Sequence, residues 1–180
     1  MSNVNDFVIE DGVLKKYIGS DPVVVLPNLV VSIDSNSFSE SSAVSVALPK
    51  SVQHIEGCGF AGSKALECII LSEFLETIGI AAFKRTNLKS VHIPDSVKAI
   101  EAFTFEQCKG LRDITIGKSI KKIGIRAFYN CVSLENIYFN GTIEEFCKIS
   151  RADSWDSGTG DYIIRCTDGE ITKYCRVKYY

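Results

Sequence analysis

Apolar positions along this chain recur in lock-step. Phenylalanine stands at 38, 60, 83, 105 and 128, with isoleucine five residues ahead at 33, 55, 78, 100 and 123. Both series advance by 22, 23, 22 and 23 residues. A fixed period in this range is the mark of a short-coil solenoid and outranks any local motif. Aligned coil by coil, the chain shows further apolar columns: Val46, Ile69, Val91, Ile114 and Ile137, then Leu48, Leu71, Ile93, Ile116 and Phe139 two residues on. Ala43, Leu66, Leu88, Leu111 and Leu134 precede the first of these by three residues, and Val30, Val52, Leu75, Val97 and Ile120 follow the strand. The residue before each Phe is small or nearly so: Ser37, Gly59, Ala82, Thr104 and Ala127.

Alternating apolar residues predict a short strand with one face inward, pairing in parallel with the same strand of the next coil. Pro27, Pro49 and Pro94 sit at the strand end, where no donor is required. The chain then turns and plants its Ile and Phe in the interior. No coil buries that face alone, so stability comes from stacking neighbours, and both open ends need covering.

The flanks carry different signals. Phe7–Ile9 and Val13–Tyr17 surround Asp11-Gly12, a hairpin-turn pair. Beyond the repeats, Thr142 and Glu145 have capping-box spacing ahead of a short helix through Phe146, Cys147 and Ile149. A second hairpin, Tyr162–Thr167 with Glu170–Lys173, is expected around Asp168-Gly169, with Trp155 as a lid on the last coil. The expected organisation is one domain: 1–25 a hairpin cap, 26–139 about five repeats, and 140–180 a cap of short helix plus hairpin.

Composition narrows function by exclusion. The chain has 180 residues, 46% of them hydrophobic, and a formal net charge of −2 with both signs interspersed. Nucleic acid and anionic membrane are poor partners for such a surface, and no run approaches the ~20 apolar residues of a membrane span. The N-terminus lacks a basic-then-apolar leader, so the chain as written reads as cytoplasmic. Seven cysteines at irregular spacing, without Cys-x-x-Cys, argue against a disulfide framework and against zinc, and no cofactor motif is present. Cys108 and Cys131 occupy equivalent places in adjacent coils and are expected as stacked, reduced thiols. Around Asp168-Gly169, a two-residue turn places Cys166 opposite Ile171 and Cys175 opposite Tyr162, so all seven thiols are expected free. Asn140-Gly141-Thr142 spells a glycosylation acceptor but reads more simply as the turn into the helix cap.

The strings IPDSVKAIEAFTFEQCKGLRDITI and IGKSIKKIGIRAFYNCVSLENIYF resemble the BspA-type leucine-rich repeat. Departures are local: Ser72 and Gly117 stand where proline is usual, and Ser63 stands in the column of Cys108 and Cys131. The resemblance implies an α/β repeat solenoid, a right-handed leucine-rich-repeat horseshoe segment with short parallel strands, little helix and β-hairpin caps at both ends. It also implies a bacterial, adhesin-like role for some members, attached to host matrix or cell-surface proteins. It offers no shared catalytic site.

Period-two alternation leaves two outward rows on the strand ladder: Ser45, Cys68, Ser90, Asp113 and Asn136, and Ala47, Ile70, His92, Thr115 and Tyr138. The flanking row, Glu67, Lys89, Arg112 and Glu135, is charged. An apolar and aromatic centre with a polar rim suits a protein partner, so Ile70, His92, Thr115, Tyr138, Cys68, Ser90, Asp113 and Asn136 form the candidate binding face of a scaffold expected as a monomer. Two other readings stand beside this one. Cys68, His92 and Asp113 lie in a zigzag that suits a thiol hydrolase or redox sensor in kind, although the surface is flat and lacks an oxyanion nest. A structural or self-associating module is the third.

Overall fold

The computed structural model describes residues 3–174 and 177–179. The chain winds as a β-solenoid of about 7 turns with little helix. Its entrance is an antiparallel pair, β1 (Phe7–Glu10) and β2 (Val13–Tyr17), in which Glu10 faces Val13. The turn residues Asp11 and Gly12 both take positive φ, 48° and 78°, as a two-residue hairpin turn requires.

Each coil contributes to two parallel ladders. The wide ladder contains β3 (Val23–Val25), β5 (Ser45–Ala47), β7 (Cys68–Ile70), β9 (Ser90–Ile93), β11 (Asp113–Ile116), β13 (Asn136–Phe139) and β15 (Ile163–Cys166). The narrow ladder begins on β2 and continues through two-residue strands: β4 (Ser32–Ile33), β6 (His54–Ile55), β8 (Thr77–Ile78), β10 (Ala99–Ile100), β12 (Lys122–Ile123) and β14 (Ser150–Arg151). Between them lies the core, built from the columns read in the sequence. The five Phe residues and the five Ile residues are buried, together with Val46, Ile69, Val91, Ile114 and Ile137.

The Phe column is a stack of rings. Successive centroids lie 4.6 to 5.5 Å apart from Phe38 to Phe128, with Tyr17 stacked 5.3 Å below Phe38. Trp155 closes the upper end edge-on to Phe128 at 5.9 Å and also meets Tyr162. Two residues either side of each Phe the backbone is left-handed, at Asn36 and Glu40, Cys58 and Gly62, Ala81 and Arg85, Phe103 and Gln107, Arg126 and Asn130. This doubled turn lets the chain reverse around one buried ring. Gly79 shows how closely coils approach, since a Cβ there would lie 2.5 Å from the Gly57 nitrogen.

Past Phe139 the parallel ladders continue, β14 on β12 and β15 on β13. The helix α1 (Ile143–Cys147) starts on a capping box between Thr142 and Glu145. The antiparallel pair β15–β16 (Gly169–Thr172) follows, and β17 (Val177–Tyr179) pairs with β16. Its register corrects the expectation from Asp168-Gly169. Cys166 faces Gly169 rather than Ile171, so the turn residues are Thr167 and Asp168. The cause is tertiary: Asp168 Oδ1 accepts the Ile143 N–H at 2.8 Å and Thr167 N–H donates to Gly141 O at 2.9 Å. Those bonds hold Asp168 beneath the helix start, and the turn forms around it. Cys175 lies outside the described residues; the other six cysteines are unpaired.

One junction differs from the rest. Neither ladder pairs across from the third repeat to the fourth: β7 and β9 belong to separate sheets, and so do β8 and β10. The Phe edge stays stitched there through Ala81 N–H to Ala102 O, Phe83 N–H to Thr104 O and Arg85 N–H to Glu106 O, at 2.8 to 3.0 Å. At the narrow-ladder side the Ser96 hydroxyl donates to Leu75 O at 2.6 Å, at the mouth of a cleft of about 520 Å³ lined by Glu76, Thr77, Ile78, Lys98, Ala99 and Glu101.

Candidate binding face of the strand ladder

The outward rows fall where period-two alternation puts them, and the structure lengthens both. Ser45 pairs with Val23 and Ala47 with Val25, while Asn136 and Tyr138 are followed by Ile163 and Arg165. The Val-Val-Val run before Leu26-Pro27 carries the signal for that first strand, because it repeats Val46-Ala47-Leu48-Pro49 in register. The inward member, Val24, is fully buried, whereas Val23 and Val25 are exposed.

The face divides at the interrupted junction. On its three-stranded part, Val25, Ala47 and Ile70 align across β3, β5 and β7, and both Val25 and Ile70 are 60% exposed. Nothing in the core requires these side chains, since their neighbours Val24, Val46 and Ile69 fill the interior. On the six-stranded part, hydrogen bonds tie the outward residues into a polar rail. Asn136 Nδ2 donates to Asp113 Oδ1 at 2.7 Å, Arg165 Nε donates to Asn136 Oδ1 at 3.1 Å, and Arg165 pairs with Glu170. Ser90, His92, Thr115 and Tyr138 stand beside the rail, with His92 and Tyr138 exposed. The flanking charges compensate one another loosely across coils, Lys89 with Glu67 at 3.7 Å and Arg112 with Glu135 at 4.0 Å, all exposed. Exposed pairs of this kind contribute little to stability and leave charge for a partner's rim.

Cys68, His92 and Asp113 are not assembled as a triad. Cys68 lies on β7, across the interruption from His92 on β9. The Asp113 carboxylate is occupied by Asn136, and no hydrogen bond among the described residues joins the three side chains. The orienting acid that the thiol reading needs is therefore committed elsewhere. Among the described residues no three His, Cys, Asp or Glu side chains gather to hold a metal ion, and no helix is long and apolar enough to cross a membrane.

Several solved structures share this geometry. A leucine-rich cell surface protein from Faecalibacterium prausnitzii A2-165 is 32% identical with a TM-score of 0.74, over 77% of this chain and 38% of that one. The chain thus spans well under half the length of that relative. The leucine-rich repeat protein of T. pallidum is 30% identical with a TM-score of 0.72, covering 76% of this chain and 70% of that one. A pneumococcal vaccine antigen, 20% identical with a TM-score of 0.66 over 89% of this chain and 45% of that one, shares the fold. Comparison with curated proteins gives no match. The BspA type leucine-rich repeat region matches residues 24–151 in 6 copies. Buried Phe and Ile columns, short parallel ladders and this match agree: the chain belongs to the BspA-type leucine-rich repeat family.

Proposed function

We propose that this protein is a non-enzymatic binding module that takes a protein partner on the outward face of its wide ladder. The observation that carries this reading is the aliphatic row Val25–Ala47–Ile70, with Val25 and Ile70 exposed and Ala47 half-buried between them, beside the polar rail and the charged flank. An apolar centre ringed by polar groups matches the anatomy of protein interfaces, where the buried centre supplies energy and the rim supplies register. Ile70, Cys68, Ser90 and His92 straddle the division between the two halves, and Asp113, Thr115, Asn136 and Tyr138 extend the contact along the polar half. The partner is a matrix or cell-surface protein of a host, and the site of action is the bacterial cell surface. The named cell-surface relative supports this placement.

The test is surface-immobilised matrix proteins and host-cell extracts presented to wild type and to a folded Ile70→Asp/His92→Asp/Tyr138→Asp variant. Retention of a partner by wild type and its loss by the variant supports the ladder face. Equal recovery from both moves the site off this face, and light scattering with mass rising with concentration points to self-association instead.

A further inference from the structure

Between the Phe edge and the wide ladder, each coil runs through a short polar segment. In the second, third and fourth repeats these are Gly62-Ser63-Lys64, Arg85-Thr86-Asn87 and Gln107-Cys108-Lys109. Six residues of these segments, Lys64, Arg85, Thr86, Asn87, Gln107 and Lys109, wall one shallow depression of about 240 Å³. The wall holds three cations, two amides and a hydroxyl, and no carboxylate.

The cations are placed by the fold. Arg85 and Gln107 both root on left-handed backbone, φ 59° and 60°, and their N–H groups donate to Glu106 O and Tyr129 O in the next coil. Arg85 Nε is spent on the Gln107 Oε1 at 2.9 Å, a neutral acceptor, which orients the guanidinium and leaves its charge uncancelled. No ion pair among the described residues involves Lys64, Arg85 or Lys109, and all three are exposed. Two acidic side chains nearby are already engaged: Glu67, at the edge of the wall, accepts from Asn87 Nδ2 at 3.1 Å and pairs with Lys89, while Glu106 is buried against Lys84 at 2.7 Å. Elsewhere the coils set opposite charges in register, as at Lys122 with Glu101 and Lys15 with Asp34. Here, like charges from three successive coils, about 5 Å apart per step, share one depression with no ion pair to any of the three.

We infer that this depression binds a linear sulfated polysaccharide. Oxoanions offer several acceptor oxygens to an arginine fork and to lysine point charges. Three cations spaced over about 10 Å of coil stack suit a chain bearing repeated sulfate groups better than one free ion, which an open depression holds weakly in water. No aromatic side chain lines the wall, so the stacking platform that single-stranded nucleic acid uses is missing. The site lies on the turn edge, apart from the Val25–Ile70 row.

Heparin is the probe, with titration by calorimetry at low and at physiological salt. Wild type is expected to bind with an affinity that falls as salt rises, as counterion release dictates. Lys64→Ala/Arg85→Ala/Lys109→Ala is expected to lose roughly tenfold or more in affinity while its melting temperature holds. Lys98→Ala/Lys118→Ala/Lys121→Ala, with the same change in net charge on exposed sites elsewhere, is expected to bind as wild type does. Desulfated heparin is expected not to bind. Equal loss in both triple variants, binding of a single-stranded oligonucleotide as tight as heparin, or a response to inorganic sulfate without one to heparin would each overturn the assignment.

Discussion

Cys131 donates its thiol hydrogen to the carbonyl of Phe105, 3.0 Å away and 26 residues earlier. Cys108 does the same to Phe83 at 3.0 Å, and Ser63 to Phe38 at 2.6 Å. At these three positions, each three residues after a Phe, the side chain ties one coil to the ring-bearing turn of the coil before it, whereas Thr86 in the same column donates to the Phe83 carbonyl of its own coil. This explains why serine and cysteine exchange there: both are small and both donate.

Each of these thiols is directed at a carbonyl rather than at the other, and both are fully buried. Native alkylation with iodoacetamide followed by mass mapping should label Cys68 and Cys147, which are exposed, and spare Cys108 and Cys131 until the chain unfolds. Labelling of all four at one rate would show that the column opens in the folded state.

Burial pushes the Cys108 thiol up to about 11 and the Cys131 thiol well above its ordinary range. A thiol whose folded pKa is raised keeps its proton where the unfolded chain has lost it. Their contribution to stability is thus whole below pH 9 and falls as pH rises through 9 toward about 11. The slope is about 1.4 kcal/mol per pH unit for each such group. Urea midpoints measured from pH 8 to pH 10.5 should decline, and Cys108→Ser/Cys131→Ser should flatten that decline.

Phe105 sits between Phe83 and Phe128 in the ring stack, with no exposed surface. Its replacement by alanine removes two ring contacts and opens a void in a closely packed layer. The expected loss is about 3–5 kcal/mol in urea melts. A loss below about 1 kcal/mol would mean that the column is not the structural spine.

The interrupted junction makes a residue-level forecast for hydrogen exchange. One coil on, Lys121 N–H donates to Lys98 O and Gly124 N–H to Ile100 O, both at 2.8 Å. The equivalent donors at the junction, Lys98 and Glu101, make no such bond. Amides lacking ladder bonds exchange through small local openings. Lys98 and Glu101 should exchange at least about tenfold faster than Lys121 and Gly124, a difference of roughly 1.4 kcal/mol in opening free energy.

What the sequence determined alone is the part of the molecule that repeats. Phe, Ile and strand columns at fixed spacing name the inward side chains because every coil faces the same packing problem, and period-two alternation then names the outward rows, Ile70 and His92 among them. The tertiary structure decided what depends on contact between coils. The Thr167-Asp168 turn replaces the Asp168-Gly169 turn because Ile143 claims the Asp168 carboxylate. Val25 joins the outward row because β3 pairs with β5. The ladders part where the Ser96 hydroxyl reaches Leu75 O, and Lys64, Arg85 and Lys109, separated by 21 and 24 positions in the chain, become neighbours only once three coils stack. Local periodicity specifies which way a side chain points; the stacking of one coil on the next specifies what it meets.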